Sequence, residues 1–144
     1  FDGEDMGRSG IPKSYAQGSL AFAKDLPIEK PDEAIILDMI GDAELHIPIE
    51  RNSYRQNRQL VKKLWSMAEE LSLEAFESRI VYTLYDDHVP LWDEARIPAI
   101  DIIDFNYPNS YANYWHTTQD LPENCSAESL GQVGTLLVHY IYGR

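Results

Sequence analysis

One aspartate interrupts the apolar run Ala34-Ile35-Ile36-Leu37-Asp38-Met39-Ile40-Gly41, and few folds accommodate it. An Ile-rich run of this kind is expected as a strand buried on both faces of a sheet. An ionised carboxylate there costs several kcal/mol unless a metal, a cation or strong hydrogen bonds compensate it. Acid recurs in comparable settings. Tyr85-Asp86-Asp87-His88 follows the strand-like Ile80-Val81-Tyr82-Thr83-Leu84, and Phe1-Asp2-Gly3-Glu4-Asp5 opens the chain. Trp115-His116-Thr117 adds an imidazole. Carboxylates and a histidine at the ends of hydrophobic strands are the raw material of a zinc site in an α/β sheet.

The chain has 144 residues, 44% hydrophobic and 25% charged, which suits one soluble domain or part of one. A net charge of −12 argues against nucleic acid and against anionic membrane surfaces, both of which need a basic face. The lone cysteine, Cys125, excludes an internal disulfide and is expected to be a small packed residue. No apolar stretch reaches the roughly 18 residues of a membrane span, and no signal peptide is evident. The sequence opens on Phe1 rather than Met, so a fragment or processed form of a longer protein is expected.

Alternation of helical and strand periodicity runs throughout. Ser14 is expected to cap a helix reaching Asp25, closed by Pro27 and Pro31. A long helix is expected from Ser53 to Leu73, with Leu60, Leu64, Met67, Ala68 and Leu71 forming its apolar stripe. A short helix, capped by Asp86 or Asp87, follows over 88–96, then a buried strand over 97–103. Ser126 is expected to cap a final helix whose stripe is Leu130, Val133, Gly134, Leu137, Val138 and Ile141. This order predicts an α/β three-layer sandwich with a mostly parallel central sheet flanked by helices.

Several residues have two readings. Glu4 and Asp5 fit a solvated turn equally with a pair that divides proton transfer and metal binding. Asp86 and Asp87 serve equally as helix caps. Asp101 and Asp104 sit near a strand end, where open α/β sheets bind ligands. Tyr107, Tyr111, Tyr114 and Trp115 either cover the core edge or line a pocket beside His116.

Four segments, Phe1–Asp5, Leu37–Gly41, Asp86–Leu91 and Tyr114–Asp120, carry in that order a resemblance to the C-terminal part of the zinc aminopeptidase family that includes the glutaminyl cyclases. The resemblance covers essentially the whole chain, and it implies that residues 1–144 are the C-terminal portion of one zinc-peptidase-like catalytic domain. Carried over by position, it makes Glu4 the general acid/base, and Asp5 and His116 zinc ligands. Asp38 becomes a second-metal ligand in two-zinc aminopeptidases, or the carboxylate holding the substrate amine in cyclases. Asp86 becomes a member of the proton network with Glu4 and Asp38. Trp115, Tyr111 and Asp101 face the substrate. Asp101 stands where animal cyclases carry histidine, and Asp5 where the family often has a second glutamate. The family's first metal-binding segment would precede Phe1.

The implied cofactor is one or two zinc ions, and the implied partner is a peptide or protein N-terminus, with the missing N-terminal half of the domain required. No nucleic-acid or membrane partner is implied; a secreted or periplasmic location is. Three functions are consistent with this: a glutaminyl-peptide cyclotransferase, a two-zinc aminopeptidase, or an inactive domain of the same family.

Overall fold

A computed structural model describes residues 1–3 and 6–143, so Glu4 and Asp5 lie outside the described residues. Its centre is a parallel pair of strands, β1 (Ala34–Asp38) and β4 (Ala99–Ile103), running in register from Ala34 beside Ala99 to Asp38 beside Ile103. A second parallel pair joins β2 (Ile47–Ile49) to β3 (Phe76–Ile80), with an irregularity after Pro48. Two residues each of β5 (Pro108–Asn109) and β6 (Ala112–Asn113) form a small antiparallel hairpin.

Side-chain alternation along β1 and β4 separates two apolar layers. Ile35, Ile100 and Ile102 face a cluster built on α3 (Arg58–Glu70) and α5 (Ala127–Tyr142), with Leu60, Leu64, Trp65, Val133 and Leu136 buried there. Ala34, Ile36 and Ala99 face the other way, onto α1 (Gln17–Asp25) and α4 (His88–Ala95). The α/β sandwich with parallel strands flanked by helices is therefore present.

Local details depart from the sequence reading. β1 is not buried on both faces: Leu37 is 43% exposed, and it is β4 whose five residues are all buried. The expected 53–73 helix is two helices, α2 (Arg51–Gln56) and α3. They break at Asn57, whose side chain accepts from Leu60 N at 3.1 Å and caps α3. Ser14 does not cap α1. It closes a 3₁₀ turn, its Oγ accepting from Arg8 N and donating to Ile11 O, while α1 starts after Ala16.

The strand expected over 80–84 is paired earlier, at 76–80, where Phe76 packs on Trp65 edge to face. Asp87 occupies the N-cap position of α4 without a capping side-chain bond, so neither aspartate caps this helix by its side chain. Ser126 does cap α5, accepting from Glu128 N and Ser129 N, but Leu130, Val138 and Ile141 lie exposed on that helix. Cys125 is exposed rather than packed. Among the described residues no helix is long and apolar enough to cross a membrane.

Candidate functional site

The parallel register puts Ile36 beside Asp101 and Asp38 beside Ile103, so both aspartates project from one face of the β1–β4 pair. Asp38 closes β1 at its C-terminal end and is half-buried. Past β3 the chain stays extended, pinned by Val81 N to Ile49 O (3.1 Å), Leu84 N to Glu50 Oε1 (2.9 Å) and Arg51 N to Tyr82 O (2.9 Å). It then turns into α4, and that turn carries Asp86 to the same end of the sheet. The result is a cleft of ≈ 250 Å³ whose wall includes Asp38, Asp86, Tyr15, Phe105 and Trp115.

Trp115 is held against Phe105 at 5.3 Å between ring centroids, and His116 stacks on it at 3.9 Å. The His116 backbone is left-handed (φ 58°), and its exposed ring also faces Tyr15. On the far side of Trp115 a second depression, sharing Asp38, is lined by Asp42, Tyr107 and Asp120. There Tyr107 donates its hydroxyl to Asp120 at 3.0 Å, and burial, with the Asp120 carboxylate, pushes its pKa up to about 12.

The floor of the cleft is unusually rich in buried ionisable groups. Asp101 is fully buried; no N–H or hydroxyl among the described residues donates to its oxygens, and its carboxyl lies within hydrogen-bond reach of that of Asp86. Burial above all, then the charges of Asp86 and Asp38, pushes its carboxyl well above the usual range. Asp86 accepts from Asp87 N at 2.6 Å through Oδ1, while no N–H or hydroxyl among the described residues donates to its Oδ2. Asp87 is raised by burial, opposed by a hydrogen bond with Ser19. Asp86, His88 and Asp101 offer ligand atoms within 4.8 Å of one another, an O, N, O donor set that zinc accepts.

Of the residues singled out in the sequence, Asp38, Asp86 and Trp115 share the cleft, and Asp101 lies behind it. His116 stands at its rim, stacked on Trp115. Tyr111 is 98% exposed at the β5–β6 turn, outside the lining of this cleft. Glu4 and Asp5 fall outside the described residues. Two buried polar residues have no role assigned by the sequence: Glu50, in a polar stretch, and His88, which lies in the Asp86–Leu91 segment that carries the family resemblance and at the start of α4. Glu50 is the N-cap of α2, its side chain accepting from Ser53 N, but glutamate is not among the residues that mark a helix entry in sequence.

Residues 1–141 match peptidase family M28. The chain belongs to that family. Comparison with curated proteins found no match. Among solved structures, Porphyromonas gingivalis glutaminyl cyclase is 29% identical with a TM-score of 0.92, the match covering 98% of this chain and 53% of that one. A Zn-dependent exopeptidase from Parabacteroides distasonis is 29% identical with a TM-score of 0.89, covering 100% and 53%. A leucine aminopeptidase precursor from Bacteroides thetaiotaomicron is 26% identical with a TM-score of 0.89, covering 99% and 51%. The M28 chain thus spans about half the length of the solved structures it matches.

Proposed function

We propose that this M28 chain supplies the acid/base and substrate-recognition half of a zinc-dependent enzyme acting on peptide N-termini, of the glutaminyl-peptide cyclotransferase type. The observation that carries the reading is the convergence of Asp38 and Asp86 beneath the Trp115 wall of one cleft. A carboxylate floor recognises the N-terminal amine, which reacts in its neutral form, and an aromatic wall suits a planar side-chain amide. Asp38 holds the α-amine and orients it toward the γ-carbon of an N-terminal glutamine. Glu4 takes the proton that this amine loses on attack and delivers it to the departing ammonia. Asp86 and Asp101, with one hydrogen between two carboxyls, stabilise the charge that passes along this floor.

His116, whose ring is accessible at the cleft rim, has the chemistry of a zinc ligand together with Asp5, and in a two-zinc arrangement Asp38 joins them. Zinc, when bound, polarises the γ-carbonyl. The exopeptidase and leucine aminopeptidase likenesses favour a second reading, hydrolysis of the N-terminal residue, for which the family resemblance implies two metal ions. An assay of the zinc-loaded full-length protein on a glutaminyl peptide and on a leucyl peptide separates them. Ammonia release with a blocked N-terminus supports the cyclase. Release of free amino acid from the leucyl peptide replaces it with the aminopeptidase, and inertness to both leaves a non-catalytic member of the family.

A further inference from the structure

A peptide whose first residue occupies the cleft must lead the rest of its chain out over one wall. Two depressions adjoin the cleft, and both share Trp115 with it. One is the acidic depression of ≈ 220 Å³ lined by Asp38, Asp42, Tyr107 and Asp120. The other is wider, ≈ 440 Å³, lies along the β5–β6 hairpin, and shares both Phe105 and Trp115 with the cleft. No Asp, Glu, Lys or Arg lines this second trough. Its polar character comes largely from asparagine side chains, Asn109 and Asn113 among them.

These two asparagines are held in one orientation. Asn109 Oδ1 accepts from Tyr111 N at 3.1 Å, and Asn113 Oδ1 accepts from Trp115 N at 3.0 Å. Each side-chain oxygen thus closes a turn in its own loop, which leaves the NH2 group, a pure donor, as the free end of the amide. Among the described residues no acceptor meets either Nδ2. The support beneath them is tied down by Tyr107, whose backbone oxygen accepts from Tyr114 N at 3.0 Å and whose hydroxyl donates to Asp120 at 3.0 Å.

The acidic depression is the poorer route. Asp120 already takes the Tyr107 hydroxyl and Asp42 Oδ1 takes Glu44 N at 3.0 Å, and a peptide crossing it would strip water from carboxylates. The hairpin trough carries neutral, unspent donors, and a peptide main chain offers a carbonyl acceptor at every residue. We propose that the substrate's main chain beyond its N-terminal residue runs over the β5–β6 hairpin, where Asn109 and Asn113 donate Nδ2–H to its carbonyls. The preferred substrate is then a peptide of three or more residues rather than a single amino-acid amide. Tyr111, 98% exposed at the hairpin turn, is covered by such a peptide. This rests on the proposed function only in placing a peptide N-terminus in the cleft, whichever reaction follows.

The test uses the zinc-loaded full-length protein and two substrate pairs, glutamine amide against Gln-Ala-Ala amide and leucine amide against Leu-Ala-Ala amide. The longer member of the pair that turns over is expected to have a kcat/KM about tenfold higher, mainly through KM, from two neutral hydrogen bonds. In the double variant Asn109→Asp, Asn113→Asp the carboxylates still accept from Tyr111 N and Trp115 N, so both turns keep their closure, but oxygen replaces each NH2. Its long-to-short ratio is expected to fall to about one. A ratio near one in the unsubstituted protein, or a full ratio kept by the double variant, overturns the proposal. If the double variant fails to fold, the two single variants are read instead, each expected to lose about threefold of the ratio. Turnover of the leucyl pair alone removes the cyclase reading, while the ratio within that pair still judges the hairpin. In a protein that turns over neither pair, calorimetric affinities for the same four compounds replace kcat/KM, and absence of the gain with length overturns the proposal equally.

Discussion

β1 and β4 are adjacent strands of near-identical composition, Ala-Ile-Ile-Leu-Asp against Ala-Ile-Asp-Ile-Ile, yet their aspartates lead different lives. Asp38 ends its strand, half-buried, at the lip of a cleft. Asp101 sits mid-strand, fully buried, where it has no water to solvate a charge. The difference is one of position rather than residue type. An acid at a strand's C-terminal end is available for ligand chemistry, whereas the same acid two places earlier must stay neutral or be compensated from behind.

That contrast is broken most directly at Asp38. In the full-length enzyme, Asp38→Asn is expected to lower kcat/KM by on the order of a hundredfold or more, since it removes a charge from the reacting end of the cleft. Its thermal midpoint should move by less than about 3 °C. Kinetics and a melt on the same sample check both halves, and a large melting loss with intact turnover would erase the distinction drawn here.

A second expected contrast concerns packing. Ile102→Ala on β4 should cost about 2–5 kcal/mol, because the site is closed on all sides, while Leu37→Ala on β1 should cost under about 1 kcal/mol. Urea unfolding of the two variants measures the difference. Equal losses would mean that β1 is as enclosed as β4 in solution.

The third effect is smaller and depends on pH. Asp101 has a folded pKa raised above the unfolded value of 3.8, so the folded state favours its protonated form. Its contribution is fully present below the unfolded pKa and is lost as pH rises toward the folded value, by at most about 1.4 kcal/mol per pH unit. Glu50 runs oppositely, its contribution present above 4.5 and lost as pH falls toward about 2. Asp101→Asn, which resembles the neutral acid, should flatten the decline on the alkaline side. Unfolding free energies of both proteins between pH 5 and pH 8 test this, and an unchanged slope would assign the decline to other groups.

Much of the architecture was legible in the sequence because periodicity reports it directly. The α3 stripe at Leu60, Leu64 and Ala68 and the Ser126 cap were readable for that reason. What periodicity does not report is which apolar run lies at the centre of a sheet. The run before Asp38 is the more continuously apolar, and yet its Leu37 is 43% exposed while β4 is enclosed. Paired residues were similarly hidden at 76–80, where Phe76-Glu77-Ser78-Arg79-Ile80 is polar enough to pass for a loop, and the more apolar 80–84 drew attention instead. The cleft residues Asp38, Asp86 and Trp115 were visible as acids and an aromatic at strand or loop ends. Glu50 was not, since its burial depends on Leu84, His88 and Asp101 arriving from distant parts of the chain.

The parallel pairing of β1 with β4 has a consequence for how the cleft comes into being. Ala34 lies against Ala99, so the whole stretch carrying β2, α2, α3, β3 and α4 forms a single excursion between the two central strands. No hairpin or other short-range contact brings Asp38 toward Asp101. Their meeting depends on closing a long loop, and topologies dominated by such distant contacts assemble slowly. The acidic floor is thus not a local motif that any one segment carries with it, but a product of long-range closure of the sheet.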